Sequence, residues 1–159
     1  MSKGVLKIHK TGLFGKLPQT GDFVSRGLPA GLRPVLDRWL TAKFMRLDFC
    51  NWPTNGYRGA FAWNDVVVCA LVMASQDKLG REFPLSVCFV AQLRDLSISG
   101  IDQWCDAALP FVREAQGGHM AADKLLDHVR QIPFQKDTGV LPELPTLWPG
   151  ADRTPVNSG

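Results

Sequence analysis

Long apolar runs are missing from this sequence. The longest, Val66 to Ala74, reaches about half of the roughly 18 residues that would point to a membrane-spanning helix. Lys3 puts a positive charge near the start, but no apolar stretch follows it, so no secretory signal is expected. These absences predict a cytoplasmic protein with no membrane insertion. Dense basic charge is missing too: 18 Lys and Arg stand against 15 Asp and Glu, a net charge of +3, and no run of consecutive Lys or Arg occurs. Nucleic-acid binding calls for a basic stripe or patch, so no nucleic-acid partner is expected. The four cysteines, Cys50, Cys69, Cys88 and Cys105, include no C-x-x-C pair. Cys69 and Cys88 lie in apolar runs, where cysteine behaves as a small hydrophobe. Free thiols in a reducing compartment are therefore expected, rather than disulfides or zinc.

Catalytic signatures are equally scarce. Gly12-Leu-Phe-Gly15-Lys16 invites comparison with a phosphate-binding loop, but Lys10 stands where the first glycine belongs and Leu17 replaces the magnesium-binding hydroxyl. No G-x-G-x-x-G, G-x-S-x-G or H-E-x-x-H occurs. Of the three histidines, His9 stands alone beside Lys10, while His119 and His128 share one expected helix without the i,i+4 spacing of a metal pair. Even with Asp123 and Asp127 nearby, solvated helix-face residues are the better reading. No cofactor, metal or catalytic residue is expected, and the protein is not expected to be an enzyme.

The 159 residues that remain to be explained suit one globular domain, with 45% hydrophobic residues. Short strands are expected at residues 5 to 8 and 13 to 17. A loop shaped by Pro18, Gly21, Asp22, Gly27, Pro29 and Gly31 comes next. Leu32, Leu36, Trp39, Leu40, Phe44 and Leu47 then fall on a helical period, with Pro34 tolerable in the first turn. Asn51 to Gly59 reads as a loop. Val66 to Ala74 and Phe83 to Leu93 are apolar on both faces, as in buried strands, and the polar connection between them predicts an antiparallel hairpin. A helix is expected after Ser99, with Asp102 placed for a capping box and Pro110 interrupting it. Gly117-Gly118 ends that helix, and another follows on Ala122, Leu125, Leu126 and Val129. Residues 1–135 thus form the domain, and 136–159 a proline-rich extended tail, packed through Leu141, Leu144 and Trp148 and frayed after about Gly150. The expected class is α/β, an antiparallel or mixed sheet flanked by helices in two or three layers.

Two polar groups stand out: Lys16, Asp22, Ser25 and Arg26 in the Gly/Pro-rich loop, and Ser75, Asp77, Lys78, Arg81 and Glu82 in the hairpin connection. One reading is turn chemistry with a surface Asp–Arg pair that adds little stability. The other is a recognition surface displayed on loops.

The same two segments carry a family resemblance. Gly12-Leu-Phe-Gly-Lys-Leu-Pro-Gln-Thr-Gly-Asp-Phe-Val-Ser-Arg-Gly-Leu-Pro29 resembles the amino-terminal signature of the TagF (ImpM) proteins. Asp37-Arg38-Trp39-Leu40 is similar to the D-x-W-L that follows, and Ser75-Gln-Asp-Lys-Leu-Gly-Arg-Glu-Phe-Pro-Leu85 resembles the family's S-x-D-[RK]-[VL]-G-R-x-F-P-L. The likeness is close over about the first ninety residues. Typical members carry more sequence between the first helix and the hairpin, including a W-R-F-like segment. Here Tyr57-Arg58-Gly59-Ala60-Phe61 stands near that position, and the C-terminal portion is short. The resemblance implies a longin- or profilin-like sandwich without established catalysis. It further implies post-translational repression of the bacterial type VI secretion system through its components, with a forkhead-associated (Fha) scaffold as partner. Lys16, Asp22, Arg26, Ser75, Asp77 and Arg81 would then form one structural and recognition site, with Asp–Arg pairing across the loops. The alternatives are a generic longin-like adaptor, and a small hydrolase using Asp22 and Asp77 as paired carboxylates.

Overall fold

The computed structural model describes residues 5–6, 10–136, 139 and 143–151. Its centre is a six-stranded sheet built on the hairpin of β5 (Val66–Met73) and β6 (Leu85–Ala91), which pair antiparallel from Val67↔Ala91 to Met73↔Leu85. β2 (Thr11–Gly15) and then β3 (Val24–Arg26) extend it on one side; β4 (Tyr57–Trp63) and then β8 (Thr146–Pro149) extend it on the other. Every pairing is antiparallel. A separate two-stranded ribbon joins β1 (Val5–Leu6) to β7 (Phe134–Gln135).

Alternation along β5 explains why its sequence is apolar throughout. Val67, Cys69, Leu71 and Met73 face one core, while Val68, Ala70 and Val72 face another. The second core is closed by α1 (Leu32–Phe44), whose Leu32, Leu36, Leu40 and Phe44 recur every four residues and are fully buried. Burying those four side chains contributes on the order of 6–12 kcal/mol. The first core is closed by α2 (Ile98–Gln116) and α3 (Ala122–Arg130). The result is a three-layer α/β/α sandwich, within the expected class.

Several local expectations change. β2 starts at Thr11 rather than at residue 13, and the Gly/Pro-rich loop contains the short β3. The Asn51–Gly59 stretch is not all loop: Gly59 lies inside β4, because the Trp39 ring occupies the space where a Cβ would sit (2.7 Å). α1 ends at Phe44, leaving Leu47 in the turn beyond it. The α2 cap is Ser97, whose hydroxyl accepts the Gly100 N–H (3.0 Å), so neither Ser99 nor Asp102 caps. α2 also runs through Pro110 without interruption. His119 precedes α3, and His128 stacks on Phe111 with centroids 4.4 Å apart. The extended tail returns to the sheet as β8, with Leu144 and Trp148 packed on the core. Residues 7–9, Leu141 and the positions after Ala151 lie outside the described residues.

Candidate functional site

The hairpin connection is organised by one carboxylate. Asp77 Oδ1 accepts the backbone N–H groups of Leu79 and Arg81, both at 2.9 Å; Oδ2 accepts Arg81 Nε at 2.7 Å and lies 3.2 Å from Lys16 Nζ. A carboxylate has about four lone-pair sites, so these donors saturate it. The Asp77 side chain is fully buried, where a bare charge would be unstable. Burial alone would raise its pKa. The Arg81 N–H, the Lys16 ammonium, the Arg81 guanidinium and the Leu79 N–H outweigh that and hold it well below the usual carboxylate range. Gly80, at φ +80°, makes the turn that brings Arg81 back to Asp77.

Further bonds tie this loop to the Gly/Pro-rich one. Arg81 Nη2 donates to the Gly21 carbonyl (2.8 Å), Lys78 N–H to the Thr20 carbonyl (2.7 Å) and Ser75 Oγ to the Lys16 carbonyl (2.7 Å). Apolar contacts complete the joint. Phe23 stacks parallel on Phe14 (5.6 Å) and meets Phe83 edge-on (4.9 Å), with Lys16 Nζ 5.0 Å from the Phe23 ring centre. Gly15 allows the closest approach: a Cβ there would lie 2.1 Å from the Pro84 carbonyl oxygen. A Cβ on Gly12 would meet Leu28 Cδ2 and the Arg26 carbonyl within 3 Å. The two glycines that resemble a phosphate loop are thus explained by strand packing.

Of the six expected site residues, Lys16, Ser75, Asp77 and Arg81 come together. The charge pair that crosses between the loops is Lys16–Asp77, whereas Asp77–Arg81 closes within one loop. Asp22 stands apart from that carboxylate cluster and accepts the N–H of Phe23 (2.7 Å) in its own turn. Arg26 points to α3, pairing with Asp123 at 2.8 Å on an exposed surface. Gln19 reaches the Gly118 carbonyl between α2 and α3, bracing the same loop from the opposite side. Next to the hairpin connection lie two surface cavities of about 380 and 240 Å³, both bordered by Phe49, Ala74 and Gln116. Ser75 and Glu82 line the smaller one; neither cavity is lined by Asp22 or Asp77.

A second charged cluster has no counterpart among the expected site residues. Arg58, wholly buried on β4, donates from Nη1 to Asp102 (2.8 Å) and from Nη2 to Asp106 (2.7 Å) on α2. Trp148 Nε1 on β8 donates to the same Asp102 oxygen (2.9 Å). Burial would lower the Arg58 pKa, but nearby Cys105 and the two carboxylates raise it, so the guanidinium stays charged. The usable signal was the i,i+4 pair Asp102/Asp106 on an otherwise apolar face of α2; nothing local links it to Arg58.

Among the described residues no group of three or more His, Cys, Asp or Glu is placed to hold a metal ion, and no helix is long and apolar enough to cross a membrane. Fold and site together define a three-layer α/β module in which two distant loops are locked into one surface. Residues 12–132 match the TagF N-terminal domain, type VI secretion system-associated, and the chain belongs to that family. It is therefore a type VI secretion system-associated protein. The crystal structure of PA0076 from Pseudomonas aeruginosa PAO1 is similar: 27% identity and a TM-score of 0.64, covering 92% of this chain and 73% of that one. No curated protein matches the chain.

Proposed function

We propose that this protein is a non-catalytic accessory of the type VI secretion system, a post-translational negative regulator that works by protein contact. Its partner is a component of the machine on the cytoplasmic side, an Fha-type scaffold. The observation that carries this reading is the saturation of Asp77. An acid–base catalyst needs a carboxylate that can exchange protons with a substrate near neutral pH. Asp77 has all its acceptor sites filled and a depressed pKa, and Asp22 is engaged in its own turn. That arrangement suits a rigid recognition surface better than a paired-carboxylate hydrolase. Rigid loops bind with less ordering cost than mobile ones.

Calorimetric titration of the purified chain with the Fha-type scaffold tests the reading, alongside a secretion assay in cells overproducing the chain. Binding and reduced secretion are expected, both weakened by Arg26→Glu, whose exposed pair with Asp123 is expected to add little to stability. Unchanged secretion together with no scaffold binding would overturn the proposed function. Full binding by a folded Arg26→Glu variant would remove the charged loop from the contact surface.

A further inference from the structure

β8 is an unusual member of the sheet. It lies beyond residue 132, where the family match ends, and it pairs with β4 from Tyr57↔Pro149 to Ala60↔Thr146. That register covers four of the seven β4 residues. Among the described residues the outward side of Phe61–Trp63 has no strand partner. No residue of β8 is buried, whereas all five of β2 and four of β4 are. Pro149 has no N–H to give to the ladder. Beyond its four-residue pairing and the packing of Leu144 and Trp148 on the core, three hydrogen bonds hold the segment: Trp148 Nε1 to Asp102, the Gly150 N–H to the Gly56 carbonyl (2.7 Å), and Asn55 Nδ2 to the Ala151 carbonyl (2.5 Å). A short edge strand with no fully buried residue opens at lower free energy than the core strands beside it. The edge beneath it belongs to the packed core and keeps its own brace, because Arg58 remains paired to Asp102 and Asp106 without Trp148.

We propose that the outer edge of β4 is a strand-docking site for an extended segment of a partner protein, with β8 as the built-in strand that keeps it closed. The built-in occupant defines the chemistry. An incoming strand adds main-chain hydrogen bonds along Tyr57–Trp63, reaching the three uncovered residues. It places an aromatic N–H donor opposite Arg58, where the Asp102 carboxylate accepts it. Side chains two residues apart face the α2 layer, as Thr146 and Trp148 do. β8 competes with that strand, so the apparent affinity of the closed protein is reduced by the fraction open. This inference is independent of the regulatory reading above.

Hydrogen exchange on the full chain tests it, with a synthetic peptide of residues 143–151 as the probe. In Trp148→Ala, the amides of 146–148 and the outward amides of β4 should exchange at least about tenfold faster, the lost charge-assisted hydrogen bond accounting for about that factor and the lost ring packing adding to it, while β5 and β6 are unchanged. The peptide should restore β4 protection and bind the variant about tenfold more tightly than wild type. A peptide with alanine at the tryptophan position should not. Trp148→Phe, which keeps a ring and loses the donor, should show the same pattern at smaller amplitude and serves if the alanine variant does not fold. Absence of peptide binding to an opened variant overturns the proposal, as does faster exchange throughout the sheet. Concentration-dependent dimers that protect β4 without peptide would assign the edge to a second copy and overturn the partner reading.

Discussion

Replacing Arg58 by methionine keeps the apolar stem and removes the charge at the centre of the β4–α2–β8 brace. Two hydrogen bonds to carboxylates are lost, at 2.8 and 2.7 Å, each worth about 1.5–3 kcal/mol. Asp102 and Asp106 then face each other one helical turn apart with no cation between them. Breaking a buried pair from one side costs about 3–5 kcal/mol. The lower end applies, because the two carboxylates are 18% and 30% exposed and can recover some hydration. A loss of about 3 kcal/mol follows, or roughly 10 °C in Tm for a domain of this size. Neutralising the partners as well, in Arg58→Met/Asp102→Asn/Asp106→Asn, should bring stability back to within about 1 kcal/mol of wild type. Urea titrations followed by tryptophan fluorescence and far-UV circular dichroism supply the free energies, with equal m values as the check on a common unfolded state. The reasoning fails if Arg58→Met costs less than about 1 kcal/mol, or if the triple variant is no more stable than the single one.

Four further outcomes are expected. Gly15→Ala, at φ +147° and against the Pro84 carbonyl, should cost about 3 kcal/mol or more or prevent folding; a near-neutral result in a melting experiment would contradict the close approach. The folded-state pKa of Asp77 lies below its unfolded value, so its contribution is complete above about pH 4 and is lost as pH falls further. Acid titration of stability should therefore be shallower for Asp77→Asn than for wild type, and superimposable acid limbs would count against the clamp. Burial pushes the Cys88 thiol up to about 12 and also raises Cys69 and Cys105, so their contribution is complete below the unfolded value near pH 8.5 and is lost as pH rises through the folded values. Three such thiols give a slope of about 4 kcal/mol per pH unit above about pH 9; a thiol reagent should find one fast cysteine, Cys50, and three that react with unfolding. Arg26→Glu should shift stability by less than about 0.5 kcal/mol in the same urea assay, since its pair is exposed, and a larger loss would make that pair structural.

How much of this could be read beforehand depended on the range of the interactions. α1 and the β5–β6 hairpin were legible because their signals are local: a four-residue apolar stripe, and two apolar runs bounded by turn residues. β4 was not, since Gly59 imitates a loop until Trp39 is packed over it. The end of α2 was visible in Gly117-Gly118, but its start was not, because Ser97 and Ser99 are equally good caps by type and tertiary pairing takes Asp102 elsewhere. Within the site, residue types and motif spacing pointed to Lys16, Asp22, Arg26, Ser75, Asp77 and Arg81; Asp22 turns to its own loop and Arg26 to Asp123 on α3. Type and spacing could not reveal that Asp77 is buried rather than part of a surface pair, because its fourth donor, Lys16, comes from the distant Gly/Pro-rich loop. Arg58 was invisible for the same reason: its partners are 44 and 48 positions away.

The saturated carboxylate of Asp77 also constrains how such proteins can be recombined. A chimera that imports the Ser75–Leu85 loop alone carries a buried anion whose fourth donor must come from the host's counterpart of Lys16, just past β2, and a backbone at Pro84 that tolerates only a glycine opposite it. If the host lacks either, the graft brings a buried carboxylate one donor short, or a collision, into the core. Gly12–Pro29 and Ser75–Leu85 therefore form one heritable cassette written at two addresses, and a functional swap between relatives has to move both.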